Sequence, residues 1–272
     1  MNEPRIIKRD DIFGVFEVKT DRKKKVIFCI PITKGAAWET KDEPPQPHPM
    51  CVKSLRDSIP LIVEAGWDEG FTRTIGNPYI SGARADMTRQ ALDVIRSNED
   101  VIIYLDYDLS WDPPDLLKLL ETEGDVISGT YRTKEDGEHY MGAIMTDPTS
   151  FVAVTRPDGC IRAMAAPAGF LKVTAGAIDK FMIHYPDLCF GPSYRLTPDL
   201  FHHGAHKRMW WGEDYAFCRN WQEMGEEIWI VPNLNLNHWS GEKVWKGNFH
   251  RYLLSQPGGS EDPKRVLEEV HA

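Results

Sequence analysis

The chain has 272 residues, 42% of them hydrophobic and 27% charged, with a formal net charge of −9 at pH 7. This composition is ordinary for a folded globular protein and excludes a mainly disordered chain. The negative net charge is unfavourable for holding a long polyanion by electrostatics alone, because that mode of binding needs a net-basic face. No apolar run approaches the roughly 20 residues that a membrane helix needs. The polar start MNEPRIIKRDD also lacks the apolar region of a signal peptide, so a cytoplasmic location is expected.

The first part of the chain alternates between strand patterns and helix patterns. Such alternation predicts a parallel α/β sheet with helices on its faces, in which ligands bind beyond the carboxyl ends of the strands. The predicted elements, in chain order, are a strand or hairpin around 12–18, a core strand at 25–33, an irregular proline-rich stretch at 38–50, a helix at 51–66, a strand at 70–76, a helix at 80–98 with Ser81 as its N-cap, a strand at 101–105, a helix at 113–124 and a strand at 125–131.

The second part of the chain is rich in short strands and turns. The sequence RPDG at 156–159 predicts a hairpin turn, and helices are expected only at about 174–183 and 212–224. The five cysteines are scattered, odd in number and without a CxxC pair, which argues against a disulfide framework and against a structural zinc site. We therefore expect the cysteines to be reduced.

Two carboxylates follow the strand at 101–105. Residues 101–111 read VIIYLDYDLSW, and side chains alternate along an extended chain, so Asp106 and Asp108 point the same way with Tyr107 opposite. Two like charges in one place repel unless something positive lies between them. The residues leave two candidates for this positive group, a basic side chain and a divalent cation.

Taken in order, several stretches resemble the GT-A fold, nucleotide-sugar-dependent glycosyltransferases, and within that family the compact bacterial and phage-type enzymes. They span most of residues 25–250, although the loop at 188–208 matches nothing in the family pattern. The resemblance implies a Rossmann-like, mostly parallel sheet flanked by helices, with a smaller mixed β region on the acceptor side. The matching stretches are ARADMTRQAL, IIYLDYDLSW, VISGTYRTK, APAGFLKVTAGAIDKF, WWGEDYAFCRNWQEMGEEIWIVPNLNLNHWSG and WKGNF.

The resemblance also implies a single domain with a nucleotide-binding half at about 25–135, an acceptor-side half at about 136–250 and a C-terminal tail at 251–272. The implied reaction transfers a sugar from a nucleoside-diphosphate sugar, with UDP favoured, to a hydroxyl acceptor. A glycan, a protein, a lipid-linked sugar and a modified DNA base all stay open as acceptors. The negative net charge argues against DNA as the acceptor, although the sequence HKR, close to WW, offers a phosphate contact and a stacking surface.

A metal ion is expected because the diphosphate leaving group gains negative charge as the glycosidic bond breaks. The resemblance implies Asp106, Asp108 and His238 as ligands of Mn²⁺ or Mg²⁺, and an imidazole shifts the preference towards Mn²⁺. Without the resemblance, a lone histidine is more simply interpreted as structural. The three histidines of HHGAH at 202–206 lack a cysteine or acid at a recognised zinc spacing, so we assign them to an acceptor loop.

The stretch GED at 212–214 is predicted to begin a helix, where an acid also stabilises the helix dipole. In the resembling family this motif faces the acceptor, and one of its acids deprotonates the incoming hydroxyl in inverting members. The resemblance thus implies Asp214 as the catalytic base, with Glu213 as the second candidate. No paired nucleophile stands out between 125 and 200, which favours inversion over retention.

The remaining predicted contacts involve the donor. Arg84 resembles the family's arginine near the nucleotide, where a guanidinium pairs with phosphate, and the alternative is a solvated helix arginine. Trp210, Trp211 and Trp239 are candidates for sugar platforms or for core packing. The complete predicted nucleotide-sugar set is Thr33, Lys34, Arg84, Asp106, Tyr107, Lys134, Gly169 and Phe170.

Two other functions stay open on the sequence. A haloacid-dehalogenase-type phosphatase also has D-x-D-x-[ST] after an apolar strand, but that strand normally lies near the N-terminus of the family's domain. A non-catalytic sugar-nucleotide or glycan-binding module would keep the aspartates without needing GED. The presence of both motifs favours an enzyme.

Overall fold

The computed structural model of the protein describes residues 5–7, 15–17, 22–33 and 45–256. The helices are α1 (Pro49–Glu64), α2 (Ile80–Leu92), α3 (Pro113–Glu121), α4 (Ala175–His184), α5 (Glu213–Glu223) and α6 (Phe249–Ser255), with one 3-10 turn at Pro186–Leu188. The strands are β1 (Arg5–Ile7), β2 (Val15–Glu17), β3 (Lys25–Ile32), β4 (Asp68–Ile75), β5 (Val101–Leu105), β6 (Leu109–Trp111), β7 (Val126–Ser128), β8 (Ala143–Ile144), β9 (Ile161–Ala165), β10 (Phe170–Thr174), β11 (Cys189–Phe190), β12 (Thr197–Pro198), β13 (Gly204–His206), β14 (Met209–Trp211), β15 (Trp229–Ile230), β16 (Asn235–Ser240) and β17 (Lys243–Asn248).

An eight-stranded sheet forms the centre of the fold, in the order β4-β3-β5-β10-β7-β15-β9-β8. Strand β3 pairs in parallel with β4 and β5, and β7 pairs in parallel with β15. Strands β10 and β9 run antiparallel to their neighbours, so the other strands of the sheet all point the same way. Smaller antiparallel sheets surround it, including β17-β16-β6. The predicted α/β class, a mostly parallel sheet flanked by helices with a smaller mixed β region, is confirmed.

Strand β3 shows why the sheet is covered on both faces. Successive side chains of a strand point to opposite faces. Val26 and Phe28 pack into an apolar cluster with residues of α1 and α3, whereas Ile27 and Cys29 pack into a second cluster with residues of α2, α4 and α5. Because both faces are apolar, the strand reads as a continuous hydrophobic run, as predicted for residues 25–33.

Strand β10 is the main difference from the alternating parallel arrangement. It comes from the second part of the chain and inserts antiparallel between β5 and β7, with Phe170 opposite Leu105 and Thr174 opposite Val101. Its periodicity resembles that of any buried strand, so the sequence pattern alone does not show where it pairs. Its position brings Gly169 beside Asp106, whose backbone N–H donates to the Gly169 carbonyl at 2.8 Å.

Several element boundaries also differ from the predicted ones. Helix α2 ends at Leu92 instead of residue 98, and its N-cap is Tyr79. Ser81 lies inside the first turn, and its hydroxyl is hydrogen-bonded to His203 Nδ1 at 3.0 Å. Helix α6 was not predicted and takes up the start of the segment expected as a tail, while 257–272 lie outside the described residues.

Two global expectations concern cysteines and membranes. All five cysteines lie in the part of the chain that the structure describes, and each is a free thiol. Among the same residues, no helix combines the length and the apolar character needed to cross a bilayer.

Candidate functional site

The predicted site residues gather at the carboxyl ends of the central parallel strands. Thr33 directly follows β3, and Asp106, Tyr107 and Asp108 directly follow β5, so both groups reach the same edge of the sheet. The first turns of α2 and α5 and strand β16 complete a cleft of about 380 Å³ at this edge. The predicted residues that line this cleft are Thr33, Arg84, Asp106, Tyr107, Asp108, Glu213, Asp214 and His238.

Arg84 connects the two acidic motifs. Its Nη2 donates to Asp106 Oδ1 at 3.1 Å, and its Nη1 donates to Asp214 Oδ1 at 2.6 Å. Glu213 Oε1 lies 3.4 Å from the same Nη1. The Arg84 side chain is only 3% exposed, and its guanidinium stands 5.0 Å from the Phe201 ring centroid. The interpretation of Arg84 as a solvated helix arginine is therefore wrong.

The charge of Arg84 is secured by these carboxylates. Burial by itself lowers the pKa of a guanidinium, but Asp214, Asp106 and Glu213 raise the pKa of Arg84 above its ordinary value. The positive group beside Asp106 is thus a basic side chain. Tyr131 completes the environment of Asp106, since its hydroxyl donates to Oδ2 at 2.9 Å.

Asp108 has a different cation beside it. Lys134 Nζ donates to Asp108 Oδ2 at 2.5 Å, and His238 Nε2 lies 3.6 Å from the same oxygen. Burial raises the pKa of Asp108, but His238 and Lys134 outweigh burial, so that its pKa is lowered overall. His238 Nδ1 is 2.8 Å from the Arg132 carbonyl, which can only accept, so Nδ1 carries a proton and Nε2 is the ring nitrogen that faces Asp108.

A divalent cation fits two of the three predicted ligands. Asp108 Oδ2 and His238 Nε2 lie 3.6 Å apart, close enough to bind one ion, and a neutral His238 with its proton on Nδ1 would offer Nε2 to it. Asp106 is instead engaged by Arg84 and Tyr131 through both oxygens. Among the described residues, no three His, Cys, Asp or Glu side chains form a complete metal site. Mg²⁺ commonly binds through one or two carboxylates together with substrate phosphates, so two protein ligands suit an ion shared with a diphosphate.

The Asp214 side chain is only 16% exposed at the edge of the cleft. Its Oδ1 accepts from Arg84, and its Oδ2 accepts from the backbone N–H of Ala168 at 3.0 Å. Burial is the largest influence and raises the pKa of Asp214, Arg84 opposes it, and the negative charges of Asp106 and Glu213 raise it further. A raised pKa makes a carboxylate a stronger proton acceptor, provided that it stays ionised at the working pH.

Gly169 and Phe170 are neighbours in the chain, but Gly169 lies beside the site residues and Phe170 lies in the core. A Cβ on Gly169 would lie 2.2 Å from the Tyr131 hydroxyl and 2.3 Å from Asp106 Oδ2, so only glycine leaves room for these two side chains. Phe170 is fully buried, packing beside Trp111 in the core. Its side chain cannot contact a ligand in the cleft, and it is removed from the predicted donor set. Lys34 lies outside the described residues.

The three candidate tryptophan platforms lie in different environments, and the three histidines at 202–206 do not face one another. Trp239 stacks on His48 with ring centroids 4.7 Å apart, and Trp211 lies over the Arg219 guanidinium, whereas Trp210 is 73% exposed. The histidines at 202–206 have separate partners, so they form no zinc cluster: His202 contacts Asp199, His203 contacts Ser81, and His206 contacts Glu223.

Sequence reasoning did not single out Tyr131, which contacts Asp106 in the site, or His48, which supports the site from behind. Tyr131 follows β7, and the carboxyl end of a predicted strand was an available signal for it. His48 is the N-cap of α1; its backbone N–H donates to the Tyr107 carbonyl at 2.7 Å, and its ring stacks on Trp239. It therefore ties the DYD segment to the strand that carries His238. Because His48 lies in an irregular proline-rich stretch, no periodic pattern in the sequence indicated this role.

Comparisons with known proteins assign no family to the chain. No family model and no curated protein matches the chain. Among solved structures, the chain is similar to A197 from STIV, with 14% identity, a TM-score of 0.41, and coverage of 82% of this chain and 94% of that chain. It is similar to GalNAc-T7 with UDP, GalNAc and Mn²⁺, with 12% identity, a TM-score of 0.40, and coverage of 93% and 55%.

A third similar structure is 4-diphosphocytidyl-2C-methyl-D-erythritolsynthase from Anaerococcus prevotii DSM 20548, with 10% identity, a TM-score of 0.35, and coverage of 76% of this chain and 86% of that chain. The chain spans about half the length of the GalNAc-T7 structure. Identities and TM-scores this low assign no activity.

Proposed function

We propose that the protein is a metal-dependent glycosyltransferase, which moves a sugar from a nucleoside-diphosphate sugar to a hydroxyl acceptor, with a UDP-sugar as the favoured donor. One observation carries the proposal. The DYD segment, the buried Arg84 and the acid pair of α5 converge on one cleft at the carboxyl ends of parallel strands, where open α/β sheets bind ligands. Donor binding and proton transfer thereby fall within a single site.

The donor diphosphate is assigned to the side of the cleft that contains Asp108, Lys134 and His238. Lys134 is 32% exposed, so its ammonium can exchange Asp108 for a phosphate oxygen without a large loss of hydration. A divalent cation bound by Asp108 and His238 would neutralise charge on the departing diphosphate. The nucleoside is assigned to the ends of β3 and β4, where Thr33, Thr74 and Asn77 line the cleft.

Asp214 is assigned as the base, with Glu213 beside it. The acceptor oxygen attacks the anomeric carbon while Asp214 takes the hydroxyl proton; the bond from that carbon to the diphosphate oxygen breaks, and its electron pair leaves with the nucleoside diphosphate. Both Asp214 oxygens already accept one hydrogen bond, and each keeps a second lone pair for the proton. A single displacement of this kind inverts the anomeric configuration.

The phosphatase alternative has less support from the cleft. In a haloacid-dehalogenase-type enzyme, the first aspartate of the motif would have to attack phosphorus. Here Asp106 is held by Arg84 at one oxygen and by Tyr131 at the other, which orients it as a structural acceptor. A binding module would have no use for the buried Asp214 with its raised pKa.

The donor assignment is tested by titration calorimetry with a panel of nucleoside diphosphates, with and without Mn²⁺. We expect UDP to bind most tightly, and its binding to require the metal. Asp108→Asn should weaken the metal-dependent binding of UDP, whereas Asp112→Asn, at the N-cap of α3, serves as the matched control. Metal-independent binding that is equal in both variants would contradict the proposal.

The transfer step is tested with the two acids of α5. Asp214→Asn should abolish transfer while UDP and metal still bind, because the base is removed while Asp106 and Glu213 still neutralise Arg84. Glu213→Gln should retain more activity than Asp214→Asn. NMR of the product's anomeric proton reports the stereochemistry, and a product with the donor's own configuration would exclude a single displacement.

A further inference from the structure

The hairpin that precedes the acid pair carries the most exposed tryptophan of residues 22–33 and 45–256. Strands β13 and β14 pair antiparallel around a two-residue turn, Lys207-Arg208. The φ angles of these residues are 47° and 68°, the left-handed values that a tight hairpin turn requires. Strand β14 leads through Gly212 directly into α5, so the hairpin is joined to Glu213 and Asp214.

The exposed indole of Trp210 is connected to the rim of the cleft. Its cross-strand partner is Ala205, whose methyl group covers little of the ring. The His203 ring lies 6.1 Å from it between centroids, and His203 Nδ1 is bonded to Ser81 in the first turn of α2. Ile80, one residue before Ser81, lines the cleft. Trp210 is therefore linked through His203 and Ser81 to the first turn of α2, which borders the cleft.

Two of the cations near Trp210, Lys207 and Arg195, form ion pairs within the protein, whereas Arg208 in the hairpin turn has no ion pair among the described residues. Lys207 Nζ pairs with Glu223 at 2.9 Å, and His206 Nε2 lies 3.5 Å from the same carboxylate. Arg195 of the adjoining loop pairs with Asp93. One unpaired guanidinium on a chain with a net charge of −9 falls short of the net-basic face that a polyanion needs. The surface instead offers an uncovered aromatic face with a polar imidazole beside it.

We infer that the β13–β14 hairpin is the acceptor platform and that it binds an uncharged saccharide. One face of a sugar ring presents mainly C–H bonds, which pack against an indole ring, while the hydroxyl groups at its edge remain available for hydrogen bonds. His203, on the same side as Trp210, supplies such a partner. A saccharide held here directs a hydroxyl towards the acids at the start of α5. This inference rests on the proposed transferase function.

The test measures binding of free neutral disaccharides by saturation-transfer difference NMR, in the presence of UDP and Mg²⁺. The probes are cellobiose, lactose and N,N′-diacetylchitobiose, with a single-stranded oligonucleotide as the polyanion. Trp210→Ala should weaken disaccharide binding by about tenfold to a hundredfold, the range seen when a central interface tryptophan is truncated. Met209→Ala is the matched control, because Met209 is also exposed but points to the other face of the hairpin.

Three results would overturn the inference: equal disaccharide binding by Trp210→Ala and Met209→Ala, no disaccharide binding to the unsubstituted protein, or binding of the oligonucleotide alone. UDP binding is measured on the same samples by calorimetry. If UDP binds but disaccharide binding does not depend on Trp210, only the assignment of the acceptor platform is contradicted. Absent UDP binding removes the transferase proposal, and it does so independently of the hairpin.

Discussion

Arg84 controls the electrostatics of the cleft because three acids share its guanidinium. An unpaired buried charge costs several kcal/mol, and three neighbouring carboxylates without a cation would repel one another. The paired aspartates of DYD thus have two side-chain cations, Arg84 beside Asp106 and Lys134 beside Asp108. A metal ion is an additional group that arrives with the diphosphate in the proposed reaction.

The pH dependence of transfer should report Asp214. Its pKa is raised, so activity is expected to fall as the pH drops through a value above the ordinary carboxyl pKa of about 4. The neighbours that set this pKa are Arg84, Asp106, Glu213 and the Ala168 amide. Glu213→Gln removes one negative charge and should move the acid limb of kcat/KM to lower pH. An acid limb that this substitution leaves in place would argue against Asp214 as the base.

Gly169→Ala should displace side chains of the site, because there is no room for a side chain at this position of the backbone. The new methyl group would overlap the Tyr131 hydroxyl and the Asp106 carboxylate, so both must move. We expect a loss of about 1–3 kcal/mol in unfolding free energy, as for other overpacked positions, with weaker UDP binding. Gly82→Ala in α2 is the control: its methyl group would lie 3.5 Å from Asn77 Nδ2, an ordinary contact, so the substitution should be neutral or slightly stabilising. Urea unfolding and calorimetry check both variants.

At the scale of elements, the site depends on how β3, β5 and β10 are held together. Asp100, just before β5, joins three segments through its carboxylate. Oδ1 accepts from the Lys25 backbone N–H at 2.9 Å at the start of β3, and Oδ2 accepts from the Arg96 backbone N–H at 2.9 Å after α2. The Arg22 guanidinium adds an ion pair. These bonds align β3 with β5, whose ends carry Thr33 and Asp106.

Asp100→Asn should therefore destabilise the sheet by about 2–4 kcal/mol. The NH₂ group of the new side chain would face N–H donors where a carboxylate oxygen now accepts their hydrogen bonds. Burial raises the pKa of Asp100, but the amides of Arg96 and Lys25 together with Arg22 lower it overall from 3.8. The stabilisation is thus present above pH 3.8 and is lost as the pH falls through the depressed pKa. Urea unfolding at several pH values should show the difference between the two proteins shrinking in acid. A constant difference down to the lowest pH would contradict this account.

At the scale of the whole molecule, the cleft takes side chains from both parts of the chain. Strand β10 of the second part lies between β5 and β7 of the first, so the central sheet cannot be divided at residue 136. The proposed donor should consequently stabilise the entire fold. At a UDP concentration of about 100 times Kd, linkage adds about 2.7 kcal/mol. This corresponds to a rise in Tm of roughly 5–10 °C for a chain of this size.

Differential scanning fluorimetry with Mn²⁺ measures this shift, and Asp108→Asn should reduce it. A single transition that moves as a whole is expected. Two separate transitions, only one of which responds to UDP, would contradict the prediction that the chain is one domain.

The sequence determined those features that repeat over short distances. The apolar run of β3, the DYD segment at the end of β5 and the GED segment at the start of α5 each have a local pattern, so class, strand ends and most candidate residues could be predicted. Only the tertiary structure decided which of them meet. Arg84 and Asp214 are 130 positions apart, and β10 pairs with strands far from it in the chain. Periodicity carries no information about such long-range pairing, and for that reason the burial of Arg84 and Phe170 and the contacts of Tyr131 emerged only from the fold.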